Sequence, residues 1–191
     1  MKSNFYKENV APVVVLVVIC LIVSAALAVT YGKAHPVIVK NAAASANQSR
    51  EELLPKANGF KKYNGKLTTL EAKKVYVTEA YTATNNSGEV ITVVTNSFGG
   101  PLTMMVGIDN TGAITNVKVT DHSDTPGVGT KNWNSKTNMV VNPYKGVKKL
   151  NSTNVKDGQI KYISGASVTG EALHKGVYCA LQQVKSMGGA K

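Results

Sequence analysis

The run "VAPVVVLVVICLIVSAALAVT", Val10 to Thr30, contains no charged residue. A helix needs about 20 mainly apolar residues to cross a hydrocarbon core of roughly 30 Å, so this stretch is expected to be a transmembrane helix. A cleaved signal peptide is the competing reading, because "ALA" at Ala26 to Ala28 resembles a small-residue cleavage site. The run is long for a signal core, which spans roughly 7–15 residues, and this favours a retained anchor. Lys2 and Lys7 precede the span and a large domain follows it, so residues 1–9 are expected to be cytoplasmic. The expected location is the cell membrane, single-pass, with the C-terminal domain extracytoplasmic.

Beyond the span the pattern changes twice. Residues 31–74 read as a stalk or helical linker, in which the Ala-rich "KNAAASANQSREELLPKA" is a helix or a membrane-to-domain connection ended by Pro55. From Val75 the β-branched runs "VYVTEAYTA", "EVITVVTNS", "LTMMVGID" and "AITNVKVTD" alternate with the turn signals "NNSG", "FGGP" and "NTG". Such short separations favour antiparallel neighbours, since parallel strands need long crossovers. Residues 131–141 suggest a short helix or irregular loop, and Gln159 to Ile163 a further strand. A final amphipathic helix places Leu173, Val177, Ala180, Leu181 and Val184 at helical spacing toward the sheet. The fold class expected is α+β: a mostly antiparallel sheet with flanking helices in residues 75–191, preceded by one N-terminal transmembrane helix at 10–30.

The chain carries 22 basic and 11 acidic residues, a formal charge of +11. Its lysines are scattered, Arg50 is the only arginine, and no basic stripe interleaved with aromatics appears. This argues against nucleic acid as a partner and for a solvated face or docking surface. Cys20 lies in the apolar run and Cys179 in the last helix, which makes a disulfide between them implausible. His35, His122 and His174 stand apart, and no Cys/His spacing fits a metal site.

Two glycine-rich knots remain. In "DHSDTPGVGTK", Gly127 and Gly129 permit close approach of the backbone to a ligand, while Pro126 fixes the chain direction before them. An ordinary turn explains this as well. The second knot, "SGASVTG", offers Ser164, Ser167 and Thr169 ahead of the last helix. One of them could be a helix cap, but a capping box is absent because Glu171 lies three residues after Val168, which has no hydroxyl. Small residues and hydroxyls before a helix also make an anion site, where backbone N–H groups and the positive helix end favour phosphate.

Together the two knots resemble the FMN-binding domain family, whose members carry FMN through a phosphoester. "SGASVT" is similar to its attachment motif, Ser/Thr-Gly-Ala-Thr/Ser-x-Thr, and "DTPGVG" to its upstream Glu-Thr-Pro-Gly-Leu-Gly, with Asp124 for Glu and Val128 for Leu. "GGPLTMMVGID" resembles the sheet segment before that loop. The resemblance covers roughly residues 75–185. With one N-terminal span and this size, the chain is most similar to the G subunits of Rnf-type ion-translocating ferredoxin:NAD+ oxidoreductases, sisters of the C subunits of Na+-translocating NADH:quinone reductases.

The resemblance implies an electron-relaying flavoprotein subunit, with FMN joined by a phosphoester to Ser167. Ser164, Gly165, Ala166 and Thr169 would shape the phosphate environment, and Thr125, Pro126, Gly127, Val128 and Gly129 the approach to the flavin. Ser167 stands where Thr is usual, and Lys161 stands where the motif commonly opens with an acid, Asp157 lying just upstream. Thr169 is a second candidate for the bond, and noncovalent FMN a third arrangement. Implied partners are the membrane, other membrane subunits of an Rnf-type complex and a flavin transferase for maturation. No residue of this chain need turn over a substrate. Alternatives are a stand-alone membrane-tethered flavin carrier and a flavin-free anchored module.

Overall fold

Nothing in residues 11–53 interrupts helical hydrogen bonding except Pro36, and in the computed structural model Ala11–Leu53 form one continuous helix, α1, of 43 residues. The structure describes residues 10–131, 133–134, 136–141, 144–155, 159–160 and 165–188. Chain contacts divide the molecule into two units, residues 1–46 and 47–191. In the first unit, the apolar window of α1 has no buried residue, as expected of side chains selected for lipid rather than for a protein core. At 1.5 Å per residue, α1 is roughly 65 Å long, about twice the hydrocarbon thickness. The span at 10–30 and the start of the stalk read from sequence are therefore one helix. It ends just short of Pro55, which cannot continue a helical ladder.

The second unit begins with the last turns of that helix, where Ser49, Arg50 and Leu53 are buried. Arg50 lies 3.7 Å from the centroid of the Tyr81 ring and 3.6 Å from the Glu79 carboxylate. Thr115 Oγ1 donates to the Leu53 carbonyl at 2.5 Å, and a Cβ added to Gly107 would meet the same oxygen at 2.7 Å. The absence of a side chain at Gly107 is what lets the helix end seat there.

Among the described residues the sheet has six strands: β1 (Phe60–Lys62), β2 (Thr69–Glu71), β3 (Val75–Ala83), β4 (Gly88–Ser97), β5 (Gly100–Asp109) and β6 (Ile114–Asp121). β3 to β6 form an antiparallel meander, and β1 and β2 both pair with β3. These two short strands lie within the segment read from sequence as stalk. At the opposite edge, residues 138–141 and 144–147 run beside β6: Val140 N–H donates to Val117 O and Ile114 N–H to Val147 O. Covering both edges removes open templates for strand pairing. The described part of 131–141 (131, 133–134 and 136–141) is irregular, held by the isolated bridges Trp133↔Val140 and Lys118↔Met139. Of the strand expected at 159–163, Gln159 and Ile160 lie in a bend, and the remainder falls outside the described residues.

The final helix, α2 (Ser167–Ser186), packs on β3, β4 and β5. Leu173, Val177, Ala180, Leu181 and Val184 are all buried, in one cluster with Ile91, Val93 and Met104. Burying a side chain such as Val177 contributes roughly 1.5–3 kcal/mol. Gly176 sets the approach, since a Cβ there would lie 2.5 Å from Met104 Cε and 3.0 Å from Thr95 Cγ2. Gln183, fully buried, accepts from Thr68 N–H at 2.6 Å and donates to Lys66 O at 3.3 Å. The α+β class and antiparallel sheet expected from sequence are both found.

Candidate functional site

Three segments distant in sequence meet at one end of the sheet. The first is the tight turn from β4 to β5, where Ser97 pairs with Gly100 and Phe98 and Gly99 form the tip. Gly99 has no room for a side chain, because a Cβ would stand 2.2 Å from Ser123 O. That leaves Phe98, 77% exposed, projecting from the tip.

The second segment is the loop after β6. Val128 and Gly129 N–H both donate to Thr125 O at 3.2 Å, and Gly127 N–H donates to Thr130 Oγ1 at 2.8 Å. Gly127 sits at φ 75°, a left-handed conformation that strains other residues. Gly129 is required for a different reason: its Cβ would meet Thr169 Oγ1 at 2.9 Å and Asp124 Cβ at 3.0 Å.

The third segment opens α2. Gly165 is again left-handed, at φ 95°. The N-cap is Ala166, with no side-chain cap, and the first turn holds no acidic residue. Ser167 is thus the first helical residue and not a cap, and its position is exposed. Thr169 is 3% exposed, and its hydroxyl lies 3.2 Å from Ser97 Oγ, to which it donates because the single Ser97 proton goes to Asp124. The two hydroxyls lie two residues apart in opposite environments. An uncapped first turn leaves backbone N–H groups available to an anion. Lys131 adds charge of the right sign, its Nζ lying 3.9 Å from where a Gly165 side chain would begin.

Asp124 joins the three segments. It is 4% exposed; one carboxylate oxygen accepts from Gly99 N–H at 2.7 Å and the other from the Ser97 hydroxyl. Between the segments lies a cavity of about 320 Å³, lined by Phe98, Asp124, Thr125, Val128, Gly129 and residues 165–169. That volume is at the small end of the roughly 300–1,000 Å³ usual for small-molecule sites. Phe98, Val128 and Val168 are exposed apolar groups among its walls, suited to the face of a planar ring, while the α2 terminus and Lys131 suit a phosphate. The residues present therefore fit a nucleotide-like cofactor with one anionic end and one flat end.

Of the residues singled out from sequence, Thr125, Val128, Gly129, Gly165, Ala166, Ser167 and Thr169 line this cavity. Pro126 and Gly127 belong to the same loop without lining it. Ser164 lies outside the described residues, as do Lys161 and Asp157. Sequence reasoning passed over Phe98, whose signal was a large aromatic at the tip of a strand turn, and Val168. It read Asp124 as a motif match without seeing its burial.

Comparison with known proteins gives the same direction. The sequence profile of the FMN-binding domain family matches residues 97–182, which include all three segments. The G subunit of the proton-translocating ferredoxin:NAD(+) oxidoreductase complex of Clostridium ljungdahlii is 28% identical over 180 residues, covering 92% of this chain and 91% of that protein. The G subunit of the Na(+)-translocating complex of Acetobacterium woodii is 27% identical, covering 91% and 90%. The G subunit of an ion-translocating oxidoreductase complex of Methanosarcina acetivorans is 26% identical, covering 96% and 98%. The resemblance drawn from the two glycine-rich knots is thus found again along nearly the whole chain.

Proposed function

We propose that this chain, whose residues 97–182 match the FMN-binding domain family, is a membrane-anchored flavoprotein subunit that relays electrons within an Rnf-type ion-translocating ferredoxin:NAD+ oxidoreductase. The observation that carries the reading is the convergence of both motif loops and the β4–β5 turn on one cavity. The relatives in Clostridium, Acetobacterium and Methanosarcina, each similar over nine-tenths of this chain or more, supply the class of complex. The flavin supplies the redox chemistry when bound; the protein supplies position and electrostatics. Other membrane subunits of the complex are its partners in electron transfer.

Within this reading FMN is joined to Ser167. Exposure of Ser167 at an uncapped helix start supports it, whereas the Thr169 hydroxyl is buried and engaged by Ser97. Backbone N–H groups of the first turn of α2, with Lys131 nearby, hold the phosphate. Thr125, Val128 and Gly129 with Phe98 border the ring, and Pro126 and Gly127 shape the loop that carries them; Ser164, Gly165 and Ala166 lead the chain into the phosphate site. A flavin transferase acting on FAD would form the Ser167 Oγ–phosphorus bond as the pyrophosphate P–O–P bond breaks. AMP departs and the hydroxyl proton passes to solvent or a base of the transferase. The C-terminal domain is extracytoplasmic and residues 1–9 cytoplasmic, in keeping with the apolar span between them. A covalent bond then prevents loss of a cofactor that could not readily be replaced outside the cell.

Peptide mass spectrometry of the full chain coproduced with a flavin transferase tests the attachment. One FMN is expected on the peptide containing Ser167 and none in Ser167→Ala. An unmodified peptide, or an adduct on Thr169, overturns the assignment. Copurification with multi-span membrane subunits tests membership of the complex.

A further inference from the structure

Asp124 places a carboxylate in the cavity wall with no ion-pair partner among the described residues. It is 4% exposed and lines the cavity, and both its oxygens are held by uncharged donors, Gly99 N–H at 2.7 Å and the Ser97 hydroxyl. Among the described residues no Lys, Arg or His forms an ion pair with it: the ion pairs found involve Glu52, Glu71, Glu79 and Glu171. Removing a charge from water costs several kcal/mol, and buried charges are ordinarily paired.

A knot that merely joins three segments does not need that charge. An amide at position 124 could accept from Gly99 through its oxygen and donate through its nitrogen to Ser97 Oγ. The hydroxyl would then donate onward to Thr169 Oγ1, 3.2 Å away. An amide supplies every hydrogen bond and lacks only the negative charge.

We infer that Asp124 is a positioning residue that also sets the reduction potential: its charge in the cavity wall opposes addition of electrons to a flavin held in that cavity and keeps the potential low. This rests on the flavin reading of the same site. Reduction brings negative charge into a wall that already carries one, in a partly desolvated setting where Coulomb terms are weakly screened. The first turn of α2, which Asp124 reaches through Ser97 and Thr169, and Lys131 offer positive potential to the phosphate, while Asp124 adds a charge of the opposite sign to the same cavity wall.

Spectroelectrochemical titration of the full-length, flavin-loaded protein in detergent tests this, with wild type, Asp124→Asn and Ser97→Ala compared. Asp124→Asn is expected to raise the ratio of reduced to oxidised flavin at a fixed poise about tenfold, equivalent to roughly 30 mV for a two-electron couple. Ser97→Ala removes a donor but keeps the charge, so its potential is expected to be unchanged or lower. An unchanged or lowered potential in Asp124→Asn overturns the inference. So does a raised potential in Ser97→Ala, which decides the matter alone if the Asn variant does not fold. Failure of the flavin reading looks different: wild type then shows no flavin absorbance before any titration begins, and the inference falls with it.

Discussion

The two helices among the described residues draw on similar apolar residues and put them to opposite uses. The apolar window of α1 has no residue buried in protein, while α2 hides a stripe from Leu173 to Val184 against the sheet and leaves its first turn open. Apolar residues all round a helix suit a solvent that is itself apolar; an apolar stripe suits a boundary between water and a core. The difference also bears on the candidate site. Every polar group of α2 tied to the cavity lies in its first turn, where the helix has backbone donors to spare, and the rest of the helix only secures that turn in place.

Placing a charge in the middle of each helix breaks the comparison most sharply. Val177→Asp buries an unpaired carboxyl at a fully buried position. The cost is expected to exceed about 4 kcal/mol, and the cooperative thermal transition of the second unit disappears in calorimetry. Val18→Asp, in the apolar window of α1, is expected to cost about 2.5–3.5 kcal/mol of membrane insertion. It should reduce the membrane fraction after alkaline extraction and leave the thermal transition of the second unit where it was. A shift of that transition by Val18→Asp would mean that α1 and the sheet share one folding unit.

Gly129→Ala sharpens the account of the first turn. Its Cβ would press on Thr169 Oγ1 at 2.9 Å and Asp124 Cβ at 3.0 Å, at a cost of about 1–3 kcal/mol. Flavin content should fall more than stability does, read by absorbance beside thermal unfolding.

Cys179, on the buried face of α2, carries the comparison into pH. Burial pushes the Cys179 thiol up to about 11 from an ordinary value of 9.0. The folded state then favours the neutral thiol more than the unfolded chain does. Its contribution is fully present below pH 9 and is lost as pH rises toward 11, an effect on the order of 1–2 kcal/mol. Cys179→Ala should flatten that part of the stability profile in denaturant titrations. At neutral pH a maleimide should modify Cys179 only after unfolding.

The smallest effect is expected at the exposed surface of α2. Lys175 pairs with Glu171 at 3.1 Å and Glu71 at 3.4 Å, both partly exposed. Screening holds such pairs to about 1 kcal/mol or less, so Lys175→Ala should shift the denaturation midpoint slightly, and less still in high salt.

Much of this architecture is legible along the chain. β3 coincides with "VYVTEAYTA", and β4, β5 and β6 differ from the quoted runs by a residue or two at their starts, because β-branched residues favour strands and the turns between them are glycine- or asparagine-rich. The buried face of α2 follows from its helical period. β1 and β2 were not legible: three residues each carry no period, and "FKK" and "TLE" become strands only because β3 presents an unpaired edge. Nor did residue types announce that α1 would run unbroken past Pro36 to Leu53.

The same division holds at the site. The chain by itself pointed to two glycine- and hydroxyl-bearing loops whose residues line the cavity, through their likeness to a family's paired motifs. Only the tertiary structure decided how the hydroxyls differ, leaving Ser167 exposed and drawing Thr169 beneath Ser97, and it alone brought Phe98 to the rim and Asp124 into the wall. Those outcomes depend on burial and on partners from other segments, properties that the order of residues along one loop does not contain.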